Sequence, residues 1–411
     1  MLLKGKNILL GVTGSIAIYK ALELIRLYIK AGANVRVVMT DSANKFINPI
    51  TFEAISQNKI LDENSENWDK SQDYNHIDIT KWSDIFVIAP ASANTINKLS
   101  NGIADNLLLQ TALAYTKKII LSPAANTNMI ENPITKKSLE YLDKLGFQIL
   151  GTQTKELVCK DVGNGAMAEP INIFQATCRE LLKSSYWIER KVVLSGGGTI
   201  EKIDDVRYIS NFSSGKMASS LATALYYLGA DVSLVASRGL EFAPNGINKI
   251  QVYNTLEFKE NLEKELKNNQ SEKKPYLFMV AAISDYIPSV KVDGKIKKES
   301  LGETWNMELK KNIDILASIE KDNIFTVGFK AEMDKVNAKI NAKNMLKNKN
   351  LDAVCLNVLD ESNTFGDDSN KIELIFEDNS KDFSGNKLDI SFSILENLEK
   401  KFKSYEWVES S

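Results

Sequence analysis

Two segments decide the fold of this chain: ILLGVTGS (residues 8–15) and VVLSGGGT (residues 192–199). Each reads as a buried strand that ends in a glycine turn. An amphipathic helix follows each turn and leads into a similar string, KAGANVRVV (residues 30–38) or YLGADVSLV (residues 227–235). Glycines let the backbone approach a phosphate closely, and a helix N-terminus favours negative charge. The repeat therefore predicts two nucleotide-type domains, and two activities are possible.

Length and composition describe an ordinary globular chain. The 411 residues favour two or three domains, and 44% hydrophobic and 25% charged residues are typical of soluble proteins. The net charge of −2 and the lack of a basic–aromatic stripe argue against a nucleic-acid partner. No apolar run approaches the roughly 18 residues of a membrane span, and the N-terminus enters a strand directly. We therefore expect no membrane partner, no signal peptide and a cytoplasmic protein.

Cysteine and histidine usage limits the chemistry further. The three cysteines, Cys159, Cys178 and Cys355, are odd in number and far apart, so a disulfide framework is not expected and a reducing cytosol fits. The chain has one histidine and no CxxC pair, so a zinc site is not expected. Cys178 and Cys355 are interpreted as buried structural thiols.

Continuous apolar runs predict the sheets, because strands covered on both faces lack polar alternation. The predicted fold class is α/β, with two Rossmann-like domains, each a mostly parallel sheet with helices on both faces. The domains are expected at residues 1–188 and 189–411, joined by a linker at 184–190. Residues 372–376 are a candidate edge strand, and the lysine-rich residues 286–311 are predicted to be a long loop. The predicted strands are 35–39, 85–89, 119–121 and 147–150 in the first half, and 192–195, 232–236, 276–281, 324–328 and 353–356 in the second.

Two polar loops of the first half follow predicted strands: residues 90–109 and residues 123–129. Ligands of open α/β sheets lie beyond the carboxyl ends of strands, so these loops are candidates for hydrogen bonding a ring system. His76 precedes the strand at 85–89. A single histidine is more often structural or solvated than functional, and a lone GVTGS turn is a weak signal.

A functional interpretation is favoured by four strings that occur in order along the chain: GVTGSIAIYKALELIR, PASANTINKLSNGIADNLL, PAANTNM and LVCKDVGNGAMAEP. Together they resemble the flavin-dependent cysteine decarboxylases that act on 4′-phosphopantothenoylcysteine. The resemblance implies a Rossmann-like flavoprotein with FMN at a subunit interface of a trimer. It also implies that the flavin oxidises the substrate thiol to a thioaldehyde, so that carbon dioxide can leave, and then reduces the resulting enethiol.

The same resemblance assigns residues. It implies that Cys159 is the proton donor, that His76 is the essential histidine, and that Asn126 binds the substrate carboxylate. The sequence departs from the family at Ala125 and Ala166, where methionine and arginine are usual, and at Lys160, where glycine is usual. The expected cofactor-binding residues are Gly14, Ser15, Ser92, Asn94, Asn126 and Met129.

The strongest string of the second half is RYISNFSSGKM (residues 207–217). It places Ser213, Ser214, Gly215 and Lys216 at the start of a helix, where hydroxyls, free N–H groups and an ammonium can bind an anion. The alternative interpretation is an elaborate helix cap. The strings AAISDY (residues 281–286) and KIKK (residues 295–298) follow, and a mobile lysine loop can close over a polyphosphate.

These strings resemble phosphopantothenate–cysteine ligases over about residues 190–405. With the first half, the chain resembles the bacterial bifunctional enzymes of coenzyme A biosynthesis. The resemblance implies that CTP and 4′-phosphopantothenate form an acyl-cytidylate and pyrophosphate, and that L-cysteine then displaces CMP. Mg²⁺ is expected with the triphosphate, but its ligands are unknown.

The resemblance to the ligases also implies functional roles for residues of the second half. Asn211 matches the asparagine that stabilises the acyl-cytidylate, and Lys295 matches the lysine needed to form it. Two further family lysines fall on Lys343 and Lys347 in one alignment; in the other, one falls on Lys349 and the second position is Met345. The other expected CTP contacts are Met279, Val280, Ala281, Asp285, Ile313, Asp314, Ile315, Leu316 and Phe329.

Two alternatives remain to be weighed. A non-catalytic flavin-binding or regulatory protein is allowed by the departures at Ala125, Ala166 and Met345, but the retained catalytic positions argue against it. A dehydrogenase fails, because neither glycine turn is GxGxxG and no acidic residue ends the second strand of either half. The resemblance further implies a homo-oligomer, with a trimeric decarboxylase core and dimeric ligase domains.

Overall fold

A computed structural model describes residues 1–65, 75–156, 162–297, 303–359 and 366–409. The predicted proton donor Cys159 and the last lysine of KIKK, Lys298, lie outside the described residues. The chain divides into two compact units, Met1–Leu182 and Lys183–Ser411, each of which is described by itself.

The first unit is built on a five-stranded parallel sheet with the order β2-β1-β3-β4-β5. A separate antiparallel hairpin, β6–β7, follows it. All of β3, and β1 from Ile8 onward, are buried, as expected for a sheet with helices on both faces. The strands are β1 (Asn7–Val12), β2 (Asn34–Met39), β3 (Ile85–Ala91), β4 (Ile119–Pro123), β5 (Gln148–Ile149), β6 (Gln153–Glu156) and β7 (Val162–Ala166).

Helices connect these strands, and most begin at a Ser, Thr or Asn whose side chain accepts a backbone N–H bond. A short 3-10 helix (Ile16–Ile18) precedes the first of them. The helices are α1 (Tyr19–Lys30), α2 (Asp41–Asn44), α3 (Pro49–Ser56), α4 (His76–Trp82), α5 (Ala93–Ser100), α6 (Leu107–Ala114), α7 (Thr127–Glu131), α8 (Pro133–Lys144) and α9 (Pro170–Leu182).

The second unit contains an eight-stranded sheet with the order β12-β11-β8-β13-β16-β17-β18-β19. Its first six strands are parallel, and the last two add antiparallel pairs. Two small antiparallel pairs, β9–β10 and β14–β15, stand apart from it. The strands are β8 (Lys191–Gly196), β9 (Ile200–Lys202), β10 (Tyr208–Ser210), β11 (Asp231–Ala236), β12 (Asn248–Gln251), β13 (Tyr276–Met279), β14 (Tyr286–Pro288), β15 (Leu309–Lys311), β16 (Phe325–Glu332), β17 (Ala353–Val358), β18 (Ser369–Ile375) and β19 (Ser380–Asn386).

Two apolar cores cover the two faces of this sheet. Val192 and Leu194 of β8 belong to one core, and the intervening Val193 belongs to the other. Because successive residues of a strand point to opposite faces, both faces are buried and the run lacks polar alternation. The predicted fold class is confirmed. The helices of this unit are α10 (Lys216–Tyr227), α11 (Thr255–Lys267), α12 (Ile315–Ser318), α13 (Ala338–Asn348) and α14 (Lys387–Glu409).

Three predictions of detail are wrong. Residues 184–190 are not a free linker, because Trp187 and Arg190 are fully buried in the second unit. The candidate edge strand is the inner strand β18, and the edge is β19. The predicted loop at 286–311 begins and ends in the paired strands β14 and β15, although the connecting residues have no periodic apolar pattern.

Candidate functional sites

In the first unit, the strand order reverses at β1, which pairs with β2 on one side and β3 on the other. Thr13 joins the two strand ends: its Oγ1 donates to the Pro90 carbonyl at 2.7 Å and accepts the Ser92 N–H at 2.9 Å. Open α/β sheets bind ligands at such a reversal, beyond the carboxyl ends of the strands. Thr13 is buried, so its two hydrogen bonds hold the ends of β1 and β3 together at this reversal.

A cleft of about 500 Å³ opens at this reversal, which is a normal size for a small-molecule site. Five of the six residues predicted to bind the cofactor line it. Asn126 is the exception, because its side chain caps α7 by accepting the Asn128 N–H at 2.9 Å. The cleft is lined by Gly14, Ser15, Thr40, Asp41, Ser42, Glu63, Ser92, Ala93, Asn94, Thr95, Lys98, Asp105, Asn106, Ala124, Ala125 and Met129.

Four of these lining residues cap helices. Ser15 Oγ accepts the Ala17 N–H, and Ser92 Oγ accepts the Thr95 N–H, both at 3.3 Å. Thr40 caps α2 and Asn106 caps α6 in the same way. Of these helices only α5 and α6 have two turns, and the partial positive charge of their N-termini favours an anionic group in the cleft. The lining carboxylates of Asp41, Glu63 and Asp105 act in the opposite direction. Thr40 and Asn106 were missed from the sequence, although a capping residue after a strand or loop is a readable signal.

His76 does not line this cleft within one chain. It is the first residue of α4, whose N-cap is Asn75. The Asn75 side chain accepts the N–H groups of Ile77 and Asp78, each at 2.9 Å. The sequence therefore placed His76 correctly before β3, and the structure puts it at the start of α4, where it is not among the residues that line the cleft.

Strand β7 of the β6–β7 hairpin packs against the loop after β4. Ala125 N–H donates to the Gly165 carbonyl at 3.1 Å. A Cβ at Gly165 would lie 2.1 Å from the Ala125 carbonyl oxygen, and one at Gly163 would lie 1.9 Å from Thr127 Oγ1. Only glycine allows this close approach of β7 to the loop that carries Asn126.

In the second unit the strand order reverses at β8, which pairs with β11 and β13. Ser195 in the glycine turn accepts the N–H groups of Val280 and Ala281, each at 3.0 Å. This bond ties the turn to the end of β13. Asn211 lies nearby, with its amide donating to the Ile283 carbonyl at 3.2 Å.

A pocket of about 150 Å³ lies beyond these strand ends, at the start of α10. Gly215 is the N-cap at φ +74°, and a Cβ there would lie 2.1 Å from the Arg238 carbonyl oxygen. Gly215 has no side chain to accept the first N–H groups of α10, and Ser214 Oγ accepts only a long bond from Lys216, at 3.4 Å. These features suit an anion more than they suit a helix cap.

The pocket contains seven predicted nucleotide-binding residues: Ser213, Ser214, Gly215, Lys216, Val280, Ala281 and Phe329. The side chains of Met279, Ile315 and Leu316 belong instead to the apolar core, so only their backbone could meet a ligand. Sequence reasoning missed Lys330, Asn357, Asn370 and Lys387, which also line the pocket. Of these four, only Asn357 could have been predicted from the sequence, because it is a polar residue near the end of an apolar strand.

Asp314 connects the KNIDIL string to one of the three candidate lysines. It caps α12 through the Ala317 N–H, and its Oδ2 lies 2.7 Å from Lys349 Nζ. Burial acts to raise the pKa of Asp314, but the bonds from Lys349 and Ala317 outweigh burial and hold that pKa below its usual value. Lys343 and Lys347 are exposed on α13.

Lys295, Asp285 and Ile313 do not line the anion pocket. Lys295 is exposed on a loop whose neighbours are held by a turn: Gly294 N–H donates to Asp205 at 2.8 Å, and Ile296 N–H donates to Asp204 at 3.2 Å. Asp285 is exposed, and its carbonyl accepts the Asn312 N–H. Ile313 lines a separate cleft beside β15.

The described part of the chain holds no group of three or more His, Cys, Asp or Glu side chains arranged to bind a metal. None of its helices is long and apolar enough to cross a membrane. Cys178 and Cys355 are buried, as expected for structural thiols, and burial raises the pKa of both.

Comparison with known proteins covers both units. The family described as flavoprotein matches residues 2–182, and the family described as DNA/pantothenate metabolism flavoprotein C-terminal domain matches residues 187–402. A solved structure titled the FMN binding protein AtHal3 is 36% identical, covers 42% of this chain and 95% of that chain, and has a TM-score of 0.39.

Three curated relatives are coenzyme A biosynthesis bifunctional proteins CoaBC. Those of Vibrio cholerae and Haemophilus influenzae are both 38% identical, over 86% and 93% of this chain and 88% and 94% of their own lengths. That of Bacillus subtilis is 35% identical over 97% of each chain. The resemblance found in the motifs is thereby confirmed, and the chain belongs to the family of coenzyme A biosynthesis bifunctional proteins.

Proposed function

We propose that the first unit binds FMN in the cleft at the β1–β3 reversal and decarboxylates 4′-phosphopantothenoylcysteine to 4′-phosphopantetheine. The observation that carries this proposal is a cleft at the strand reversal that is lined by Ser15, Ser92 and Asn94 and bordered by the N-termini of α5 and α6. These N-termini suit the single terminal phosphate of FMN, and the polar side chains suit its ring system. When bound, the flavin supplies the electron sink that the substrate carboxylate lacks.

The chain's own residues then orient the substrate and move protons. Asn126 begins α7 beside Ala125 and Met129 of the cleft, where its amide could receive the substrate carboxylate. Gly163 and Gly165 bring β7 against that loop. Cys159 is the proposed proton donor because it falls on the family's cysteine motif, and it lies outside the described residues. His76 acts from another subunit in this proposal, which fits its absence from the lining of the cleft in its own chain. A trimeric decarboxylase core and a cytoplasmic location are further parts of this proposal.

We further propose that the second unit joins 4′-phosphopantothenate to L-cysteine with CTP and Mg²⁺. The anion pocket at α10 would hold the phosphates, and Val280, Ala281 and Phe329 would meet the nucleoside. Asn211 would hold the acyl-cytidylate, and Lys295 would reach the reacting α-phosphate from its exposed loop. The contact of 2.7 Å between Asp314 Oδ2 and Lys349 Nζ supports Lys349 as one of the two CTP lysines, with Lys343 and Lys347 as the alternatives. Dimerisation of this unit is part of the proposal.

FMN should co-purify with residues 1–182, since all the cleft residues lie there. Denaturing the protein and chromatographing the released cofactor will identify it. FMN in a stoichiometric amount is the expected result. FAD, or no flavin in a folded sample, would contradict the proposal and favour a chain whose first site has decayed.

Replacing Gly165 by Ala should lower the rate of decarboxylation at least about tenfold. The reason is that a Cβ would collide with the Ala125 carbonyl and displace the β6–β7 hairpin. Ligation by the second unit should be unchanged. Gly151→Ala is the matched control, since a Cβ there meets nothing within 4 Å. Equal decarboxylation rates in both variants would show that hairpin docking is unimportant.

A further inference from the structure

Two lysines meet at the anion pocket from distant parts of the second unit. Lys216 is the first residue of α10, and Lys387 is the first residue of α14. Both line the pocket together with Gly366 and Asn370. Lys387 is only 8% exposed, so its ammonium is held in the wall of the pocket and does not extend into solvent. No sequence string singled Lys387 out.

The partners of these ammonium groups are almost all neutral oxygens of residues 366–369. Lys216 Nζ donates to the Gly366 carbonyl at 2.9 Å, and Lys387 Nζ donates to the carbonyls of Asp367 and Ser369. The one carboxylate hydrogen-bonded to either of them, within the described residues, is that of Asp368, 2.7 Å from Lys216 Nζ. Its side chain is 92% exposed, so this ion pair contributes little to stability.

The pocket therefore brings two ammonium groups together, and the carboxylates of Asp367 and Asp368 lie close enough to act on them. Burial lowers the pKa of Lys387, and the neighbouring charge of Lys216 lowers it further, while Asp367 and Asp368 act in the opposite direction. The uncapped start of α10 adds its partial positive charge at the same place. A polyanion would satisfy all three, whereas backbone carbonyls satisfy only hydrogen bonds.

We propose that Lys216 and Lys387 together bind the polyphosphate of the nucleotide as a pair of cations. In the free protein, the carboxylate of Asp368 forms an ion pair with Lys216 and competes with the polyphosphate for it. The inference deepens the proposed ligase function and rests on it for the identity of the ligand. Lys387 is then a binding residue for the nucleotide, and Asp368 is a built-in competitor that the polyphosphate displaces.

The test measures binding of inorganic tripolyphosphate, and separately of CTP, to the full chain by calorimetry. Lys387→Gln should weaken binding of each about tenfold, which corresponds to about 1.4 kcal/mol, and Lys387→Arg should restore most of it. Lys401→Gln is the matched control: it removes a lysine of the same helix that pairs with Asp378 outside the pocket. It should bind both ligands like the wild type.

Asp368→Asn separates this role from a merely structural one. If Asp368 competes with the ligand, its loss should tighten tripolyphosphate binding about threefold or more, because Lys216 is freed. If the lysines only hold residues 366–369 in place, Asp368→Asn should weaken binding or leave it unchanged, and the inference is overturned. Wild-type binding of tripolyphosphate that is absent, or indifferent to Lys387→Gln, also overturns it. CTP-dependent ligation is assayed in parallel, so that a failure of the ligase proposal is recognised on its own.

Discussion

Lys295→Gln should stop the second unit before any pyrophosphate is released, whereas Asn211→Asp should release pyrophosphate and accumulate the acyl-cytidylate. The two residues differ in chemistry and in place. Lys295 is a cation on an exposed loop between two anchored neighbours, suited to the charge that develops when the carboxylate attacks the α-phosphate. Asn211 is a neutral donor and acceptor beside the glycine turn, suited to holding the finished anhydride for the amine.

Rapid-quench mass spectrometry with CTP and 4′-phosphopantothenate, with and without cysteine, will show which species accumulates. Lys295→Gln should lower acyl-cytidylate formation by at least about a hundredfold, the loss expected when one stabilising donor is removed from a transition state. Lys291→Gln is the control, because its ion pairs with Asp205 and Asp293 are long and exposed. If both Lys295→Gln and Asn211→Asp stop before pyrophosphate release, the two residues share one step and the division of roles is wrong.

Local patterns were sufficient to predict the two sheets. Continuous apolar runs such as residues 85–89 and 192–195 place buried strands, because only strands covered on both faces dispense with polar alternation. Strand pairing beyond the parallel core was harder. The pairs β9–β10 and β14–β15 consist of strands of three residues each, which are too short to carry a period that could be detected in the sequence.

The sites were predictable where one short string supplies the contacts. Ser213 to Lys216 lie together in the sequence and together in the pocket. Lys387 could not be found in this way, because it reaches the same pocket from the start of a helix far along the chain. In the proposed function, the position of His76 relative to the flavin depends on how subunits assemble, which the pattern of one chain does not encode.

The segment at 184–190 shows where the sequence misled. Its length and its polar ends suggested a linker, yet its two aromatic residues pack into the second unit. Tyr186 and Tyr276 are joined through their hydroxyls at 2.6 Å, and the Trp187 ring lies 4.9 Å from that of Tyr276. Arg190 stacks on Tyr186 with its guanidinium carbon 4.0 Å from the ring centre. Aromatic residues in a short connection are better interpreted as packing residues, because they bury large apolar areas.

A fragment of residues 183–411 should fold and ligate cysteine, whereas residues 189–411 should not fold stably. The shorter fragment lacks Trp187, which is fully buried, and Tyr186, which is nearly so. It also lacks the Ser185 and Ile188 carbonyls that accept from Lys273 Nζ at 2.7 Å each. Loss of a buried tryptophan alone costs about 3–5 kcal/mol, a large part of the 5–15 kcal/mol typical of a domain.

Circular dichroism melts of the two fragments give the measurement. The fragment of residues 189–411 should melt at least about 6–20 °C lower than residues 183–411, or show no cooperative transition. Two substitutions in the longer fragment attribute the effect. Trp187→Ala should lower the melting temperature by a similar amount, whereas Trp187→Phe should lower it far less. Phenylalanine keeps much of the apolar contact, and the indole N–H that it removes is buried without a hydrogen-bond partner among the described residues. If residues 189–411 melt like residues 183–411, the segment is a linker after all, and the domain boundary belongs at residue 189.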